Sequence, residues 1–275
     1  MGATSTSRPP LSDQTGLMLE LSSARRFVDG IAASMGLGDR VHRPGTTVVP
    51  SAARSGSSSV VLYAIAEHAV LWCDPALAAD LAVFADDSIT VSLDEIQSIL
   101  TGRAWEHLGR SRMLLPPTSG LTIGPIVVPE AMAVRSFDVR DPADRAAVES
   151  FAARLSPDDR EDADLDGDEF DDHIVAVVEG DGGGGIVALA SQRPFEYADG
   201  FGDIAVATLA DARGRGLGRL AVAVLCGEIE ALGLVPLYRR GQANTGSVRL
   251  CASLGFVAVV EVDGIRRPIG GMHVS

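Results

Sequence analysis

Between residues 131 and 265 the chain switches between two hydrophobic periods in a fixed order. "AMAVRSFDV" reads as a strand. "DPADRAAVESFAARLS" follows as a helix, with Asp141 as its cap and Pro142 at the first helical position. "HIVAVVEG", "GIVALASQRPF" and "FGDIAVATLA" read as three strands, the first two joined by the turn "DGGGG". In "GLGRLAVAVLCGEIEALGL", Leu217, Leu220, Ala221, Val224, Leu225, Ile229 and Leu232 share one helical stripe. A strand "VPLYRRGQA", a short helix "TGSVRLCASLG" and a last strand "FVAVVEVDGI" complete the order. Such an order predicts an α/β layer, a mixed β-sheet flanked by helices.

The first half is less regular. Residues 1–12 are polar with a Pro pair and read as a loose tail. Over residues 13–35 the positions Leu17, Leu21, Ala24, Val28 and Ile31 recur at helical spacing. "RPGTTVVPSAARSGSSS" reads as a loop, and "VVLYAIAEHAVLWCD" as a hairpin turning at Glu67 and His68. "PALAADLAVFA" reads as a helix opened by Pro75, and Ser92 with Glu95 has the spacing of a capping box for another. "PPTSGLTIGPIVVPE" has the Pro and Gly content of a linker. The expected organisation is therefore a smaller accessory α/β domain over residues 13–127 and a second domain over 128–275.

Charge narrows the partners. The formal net charge is -14, against nucleic acid or an anionic membrane as the main partner. Every basic residue is arginine, and the chain has no lysine, a composition associated with high-GC bacterial genomes. Cys73, Cys226 and Cys251 stand at no metal-ligand spacing and fit free thiols in a reducing cytoplasm. His42, His68, His107, His173 and His273 are scattered, so no metal site is expected. No apolar run is long enough to span a bilayer.

"ADARGRGLGRL", Ala210 to Leu220, places glycines and arginines where a strand passes into a long helix. Glycine lets backbone N–H groups approach a ligand, and the helix start adds unpaired donors and partial positive charge. Arg213, Arg215 and Arg219 add charge suited to paired phosphate oxygens. A phosphate or pyrophosphate is the natural guest. A P-loop is excluded because it needs Gly-Lys-Ser/Thr. A dinucleotide fingerprint needs glycine or alanine where Arg219 stands.

The turn resembles the acetyl-CoA signature of the GNAT superfamily of N-acetyltransferases, Arg/Gln-x-x-Gly-x-Gly/Ala, here Arg213, Gly216 and Gly218. Downstream, "NTGSVRLCASLGF" is similar to the same family's Asn-x-x-Ser/Ala segment, through Asn244, Ser247, Leu250, Leu254, Gly255 and Phe256. The resemblance covers roughly residues 130 to 270. It leaves the first half open, as a degenerate second copy or a separate α/β module. It implies that the backbone of Arg213, Gly214, Arg215, Gly216, Leu217, Gly218 and Arg219 grips the CoA pyrophosphate. It further implies that Thr208 and Leu209 pair with the pantetheine amides, and that Asn244 and Ser247 contact the pantetheine or phosphate side. The implied partners are acetyl-CoA and an amine acceptor, within a chain for which a homodimer is admissible.

The catalytic candidates are less sharply marked. Where many relatives carry a tyrosine that protonates the CoA thiolate, this chain has Cys251, which reads equally as a buried filler. Asp203, ahead of the apolar run Ile204 to Leu209, is the candidate base. His173 is a weaker one. Ten carboxylates between Asp158 and Asp172 carry three readings: a solvated loop, a field that attracts a cationic amine, or a calcium loop through Asp162, Asp164, Asp166 and Gly167. The calcium loop lacks its closing Glu, since His173 stands at that position. Two functions result: an acetyl-CoA-dependent N-acetyltransferase, or a non-catalytic acyl-CoA-binding regulator.

Overall fold

The computed structural model describes residues 22–86, 91–92, 95, 105–117, 120–121, 127–165, 173–179 and 184–267. The N-terminal tail, Leu17, Leu21, Asp166 to Asp172, His273 and most of the helix expected after Ser92 lie outside them. The chain gathers into two compact units, one made of Met1–Met113, Gly241–Ala243 and Ala258–Ser275, the other of Leu114–Arg240 and Asn244–Val257. Position 128, read as the boundary from sequence, falls inside the second unit, and nearly all of the last strand belongs to the first.

In the first unit, α1 (Ser22–Ser34) buries Ala24, Phe27, Val28 and Ile31, the face its spacing predicts. The hairpin is β2 (Ser59–Ile65) and β3 (His68–Cys73), turning at Ala66 and Glu67 with Ala66 at φ +51°; His68 already pairs with Ile65. The expected loop before it holds a strand, β1 (Gly45–Pro50), parallel to β3. Its Thr-Thr-Val-Val centre is β-branched, and the flanking prolines disguised it as a loop. "PALAADLAVFA" forms a single α-helical turn, α2 (Ala78–Leu81), between two 3₁₀ turns, while Leu77, Leu81 and Phe84 still face the core. Ser92 and Glu95 close the expected capping box: the Glu95 amide donates to Ser92 Oγ at 3.3 Å, and the Ser92 amide to Glu95 Oε2 at 2.7 Å. Two further strands were not foreseen, β4 (Glu106–His107) and β5 (Ser111–Leu115). The sheet of this unit is completed from far along the sequence, by β11 (Val257–Arg266), antiparallel to β2 and to β4.

The second unit follows the order read from the periodicities. Its elements are β6 (Met132–Phe137), α3 (Pro142–Ala152), α4 (Pro157–Asp162), β7 (His173–Glu179), β8 (Ile186–Pro194) and β9 (Phe201–Thr208). They are followed by α5 (Leu217–Ala231), β10 (Val235–Gly241) and α6 (Thr245–Leu254). Strands β6 to β9 are antiparallel neighbours, and β10 lies parallel to β9, reached by the crossover through α5 that parallel neighbours require. β7 and β8 are buried nearly end to end, as expected of strands covered on both faces. Helix α5 covers the face of Gly202, Val206 and Thr208. Strand alternation sends Asp203, Ala205 and Ala207 to the opposite face. Leu232, which the stripe included, lies one residue past α5 and is exposed.

Candidate active site

β9 and β10 pair from Phe201–Val235 to Ile204–Tyr238 and then part. β9 continues to Thr208 and β10 to Gly241, so between them a fork opens toward the glycine turn. The turn follows at the open end. Gly214 has φ +75° and Gly216 φ +79°, and nothing lies within 4 Å of where a Cβ would stand at either. Glycine is needed here for the left-handed backbone, and the space beside it is open. Gly216 is also the cap residue of α5, so no side chain closes the first amides of that helix. The arrangement is an anion cradle built from backbone.

Gly218 has a different reason. A Cβ there would stand 2.8 Å from Thr208 Oγ1, so its bareness lets α5 close onto β9. Gly218→Ala is expected to destabilise the protein by ~1–3 kcal/mol, the usual range for overpacking. Adding Thr208→Ala should recover most of the loss. Urea unfolding of the single and double variants checks this, and a Gly218→Ala variant as stable as wild type refutes it.

The remaining cofactor candidates collect at the same end, though several are already engaged. Arg213 donates through Nε to the Thr208 carbonyl at 3.1 Å and through Nη2 to Asp159 Oδ1 at 2.5 Å. Asn244 caps α6 by accepting from the Ser247 amide at 3.0 Å and donates through Nδ2 to Asp162 Oδ2 at 3.1 Å. The Leu209 amide bonds the Val187 carbonyl, and its own carbonyl accepts from Ala212. The open strand edge therefore runs from Ala205 to the Thr208 amide, the Thr208 carbonyl being taken by Arg213, rather than at Leu209. Arg215 is exposed, and Leu217 is buried under the turn.

The acidic stretch proves partly structural. Ser156 caps α4, which sequence reading missed. Its hydroxyl, with Arg213 behind it, holds the Asp159 carboxyl below the ordinary carboxylate range against the opposing effect of burial. Asp164, at φ +54°, is ion-paired with Arg193. Asp159, Asp162 and Asp164 are thus tied to the turn, to the cap of α6 and to β8. Among the described residues no group of three or more His, Cys, Asp or Glu is arranged to hold a metal ion.

Asp203 sits at the closed apex of the fork. Arg239, the first β10 residue beyond the last paired one, donates to Asp203 Oδ2 through Nε at 2.8 Å and through Nη2 at 2.5 Å. Asp203 Oδ1 is buried, with no hydrogen-bond partner among the described residues. Burial disfavours the charge of Arg239, but its bond to Asp203 and the charges of Asp203, Asp164 and Glu196 outweigh that effect and raise its pKa. On the opposite face Cys251 is buried, and desolvation pushes its thiol up to about 12 despite nearby Arg240. Beside it Tyr238 is buried edge-on to Phe256. Its hydroxyl lies 3.5 Å from Ser247 Oγ, and desolvation raises its pKa. His173 lies on β7, 3.9 Å from Glu228 on α5. Sequence reading missed Arg239, Arg193 and Tyr238.

Several solved structures match parts of this chain. The likeness is to GCN5-related N-acetyltransferases. The enzyme from Kribbella flavida matches at 19% identity over 64% of this chain and 65% of its own, with a TM-score of 0.46. A little under two thirds of the Kribbella protein therefore has a counterpart here. The Sphaerobacter thermophilus protein matches at 18% identity, over 64% of this chain and 57% of that one, with a TM-score of 0.47. A GNAT-family acetyltransferase from Colwellia psychrerythraea matches at 14% identity over 72% and 76%, with a TM-score of 0.45. No family model and no curated protein matches the sequence. Among the described residues no helix is long and apolar enough to cross a membrane.

Proposed function

We propose that the second unit is an acetyl-CoA-dependent N-acetyltransferase. The observation that carries this reading is the fork between β9 and β10, closed by Asp203 and Arg239 at one end and opening on the glycine turn at the other. The backbone amides opening α5, with Gly214 and Gly216, hold the pyrophosphate. Asn244 and Ser247, at the start of α6, flank it. The edge of β9 beyond its last pair with β10, from Ala205 to the Thr208 amide, offers main-chain groups to the two amides of an extended pantetheine arm, as one more strand would. That arm points the thioester toward the apex. There the acceptor nitrogen attacks the carbonyl carbon, a C–N bond forms, the C–S bond breaks and the thiolate leaves. The amine proton goes to solvent or a base, and the thiolate takes one from solvent.

Cys251 fits poorly as the acid. Held near 12, it is a weaker acid than an ordinary thiol of pKa ~8.5, so passing its proton to a departing thiolate runs uphill. Asp203 fits the apex by position, but its open oxygen is closed off from solvent. Calorimetric titration with acetyl-CoA and amine-dependent release of free thiol test the proposal together. Micromolar binding with amine-stimulated release is expected. Binding without release over a broad set of amines leaves the non-catalytic acyl-CoA-binding reading, and no binding defeats both.

A further inference from the structure

We infer that the acceptor amine carries an oxyanion, either a carboxylate or a phosphate, and that Arg239 is the residue that selects it. The inference deepens the proposed function and rests on it. Arg239 stands at the apex of the fork, where the strands part. Its Nε and Nη2 meet the same oxygen of Asp203, which fixes the guanidinium by one edge. Among the described residues Nη1 meets no further acceptor, so its protons remain for a guest. The side chain of Arg239 is 44% exposed, while that of its buttress Asp203 is only 6% exposed. Asp203 is therefore a positioning residue for a cation that faces outward.

A second guanidinium stands on the same face. Arg193 pairs across the ladder directly opposite Asp203 and is 43% exposed, anchored through Nη2 to Asp164. The buried carboxylate is thus flanked by two fixed arginines whose remaining N–H groups form planar forks, a geometry suited to carboxylate or phosphate. The acids facing Arg239 are Asp203, Asp164 and Glu196, and of these Asp203 and Asp164 are already held by arginine. Asp159 and Asp162, the other described acids tied down in the acidic stretch, are turned to Arg213 and Asn244.

The test compares matched acceptors: β-alanine with β-alaninamide, phosphoethanolamine with ethanolamine, and spermidine as a cationic control. The anionic member of at least one pair is expected to exceed its neutral partner by tenfold or more in kcat/KM, and the favoured pair tells carboxylate from phosphate. In Arg239→Lys, which keeps the charge and loses the fork, that preference should shrink tenfold through the acceptor KM, with kcat and the KM for acetyl-CoA little changed. Should Arg239→Lys misfold, Arg193→Gln at the more open pair should show the same loss in smaller degree. Equal or better use of the neutral amines or spermidine overturns the inference while leaving the acetyltransferase reading intact. So does a preference untouched in both variants. Acetyl-CoA binding with no anionic amine turned over also overturns it. Absence of acetyl-CoA binding removes the proposed function and the inference with it.

Discussion

Gly216→Asp is expected to weaken acetyl-CoA binding by about a hundredfold or more while the protein stays folded. The cap residue of α5 holds φ +79°, with nothing within 4 Å of a Cβ. An aspartate therefore meets no clash and bears only the strain of a left-handed backbone, about 1–2 kcal/mol. Its carboxylate sits beside the helix amides, where it competes for the same donors and repels a pyrophosphate. Losing one or two charge-assisted bonds at ~1.5–3 kcal/mol each accounts for that drop, at 1.4 kcal/mol per tenfold. Calorimetry with a parallel thermal melt reads both halves. Unchanged affinity in a folded variant shows that the turn is not the phosphate cradle.

Asp203→Asn is expected to lower kcat/KM for the acceptor by roughly ten- to a thousandfold and to leave acetyl-CoA affinity nearly intact. The cradle lies at the other end of β9, ~16 Å away for the five residue steps from Asp203 to Thr208 at a strand rise of ~3.3 Å. Asparagine keeps an acceptor for Arg239 but removes the charge that holds it, so the loss should fall mainly on the acceptor KM. A loss confined to kcat would instead mark Asp203 as the group that takes the proton. Cys251→Ser should cost far less activity, because the thiol is buried and holds its proton tightly. Full activity in Asp203→Asn together with an inactive Cys251→Ser inverts these roles.

The second unit was legible because its strands and helices are long and keep one period each. α5 shows its stripe from Leu217 to Ile229, and Gly214 and Gly216 mark the left-handed turn before it. Short elements were not. β1 is six residues, preceded by Pro44 and ending in Pro50, and β4 only two. The site was half legible for a related reason. The glycine turn is a local signal, read from neighbouring residues. The Asp203–Arg239 pair depends on the register of β9 against β10, two strands joined through a whole helix, and no local pattern fixes that register. Likewise nothing in "PDDREDADLDGDEFDDH" says that Asp159 will find Arg213, 54 positions away. Composition shows the charge, and only the fold shows what neutralises it.

β11 pairs with β2 in a register running from Glu261 against Ala64 to Arg266 against Ser59. The first unit thus encloses the sequence of the second, and its sheet lacks a strand until Val257–Arg266 has left the ribosome. During synthesis β2 waits with one edge uncovered while the second unit, Leu114–Arg240 and Asn244–Val257, emerges with its own internal contacts. Contacts so distant in sequence form slowly, because loop closure must precede any gain from pairing. The unit encoded first is therefore the one completed last, and a nascent chain halted before residue 257 should expose β2 to proteases or to pairing with another chain.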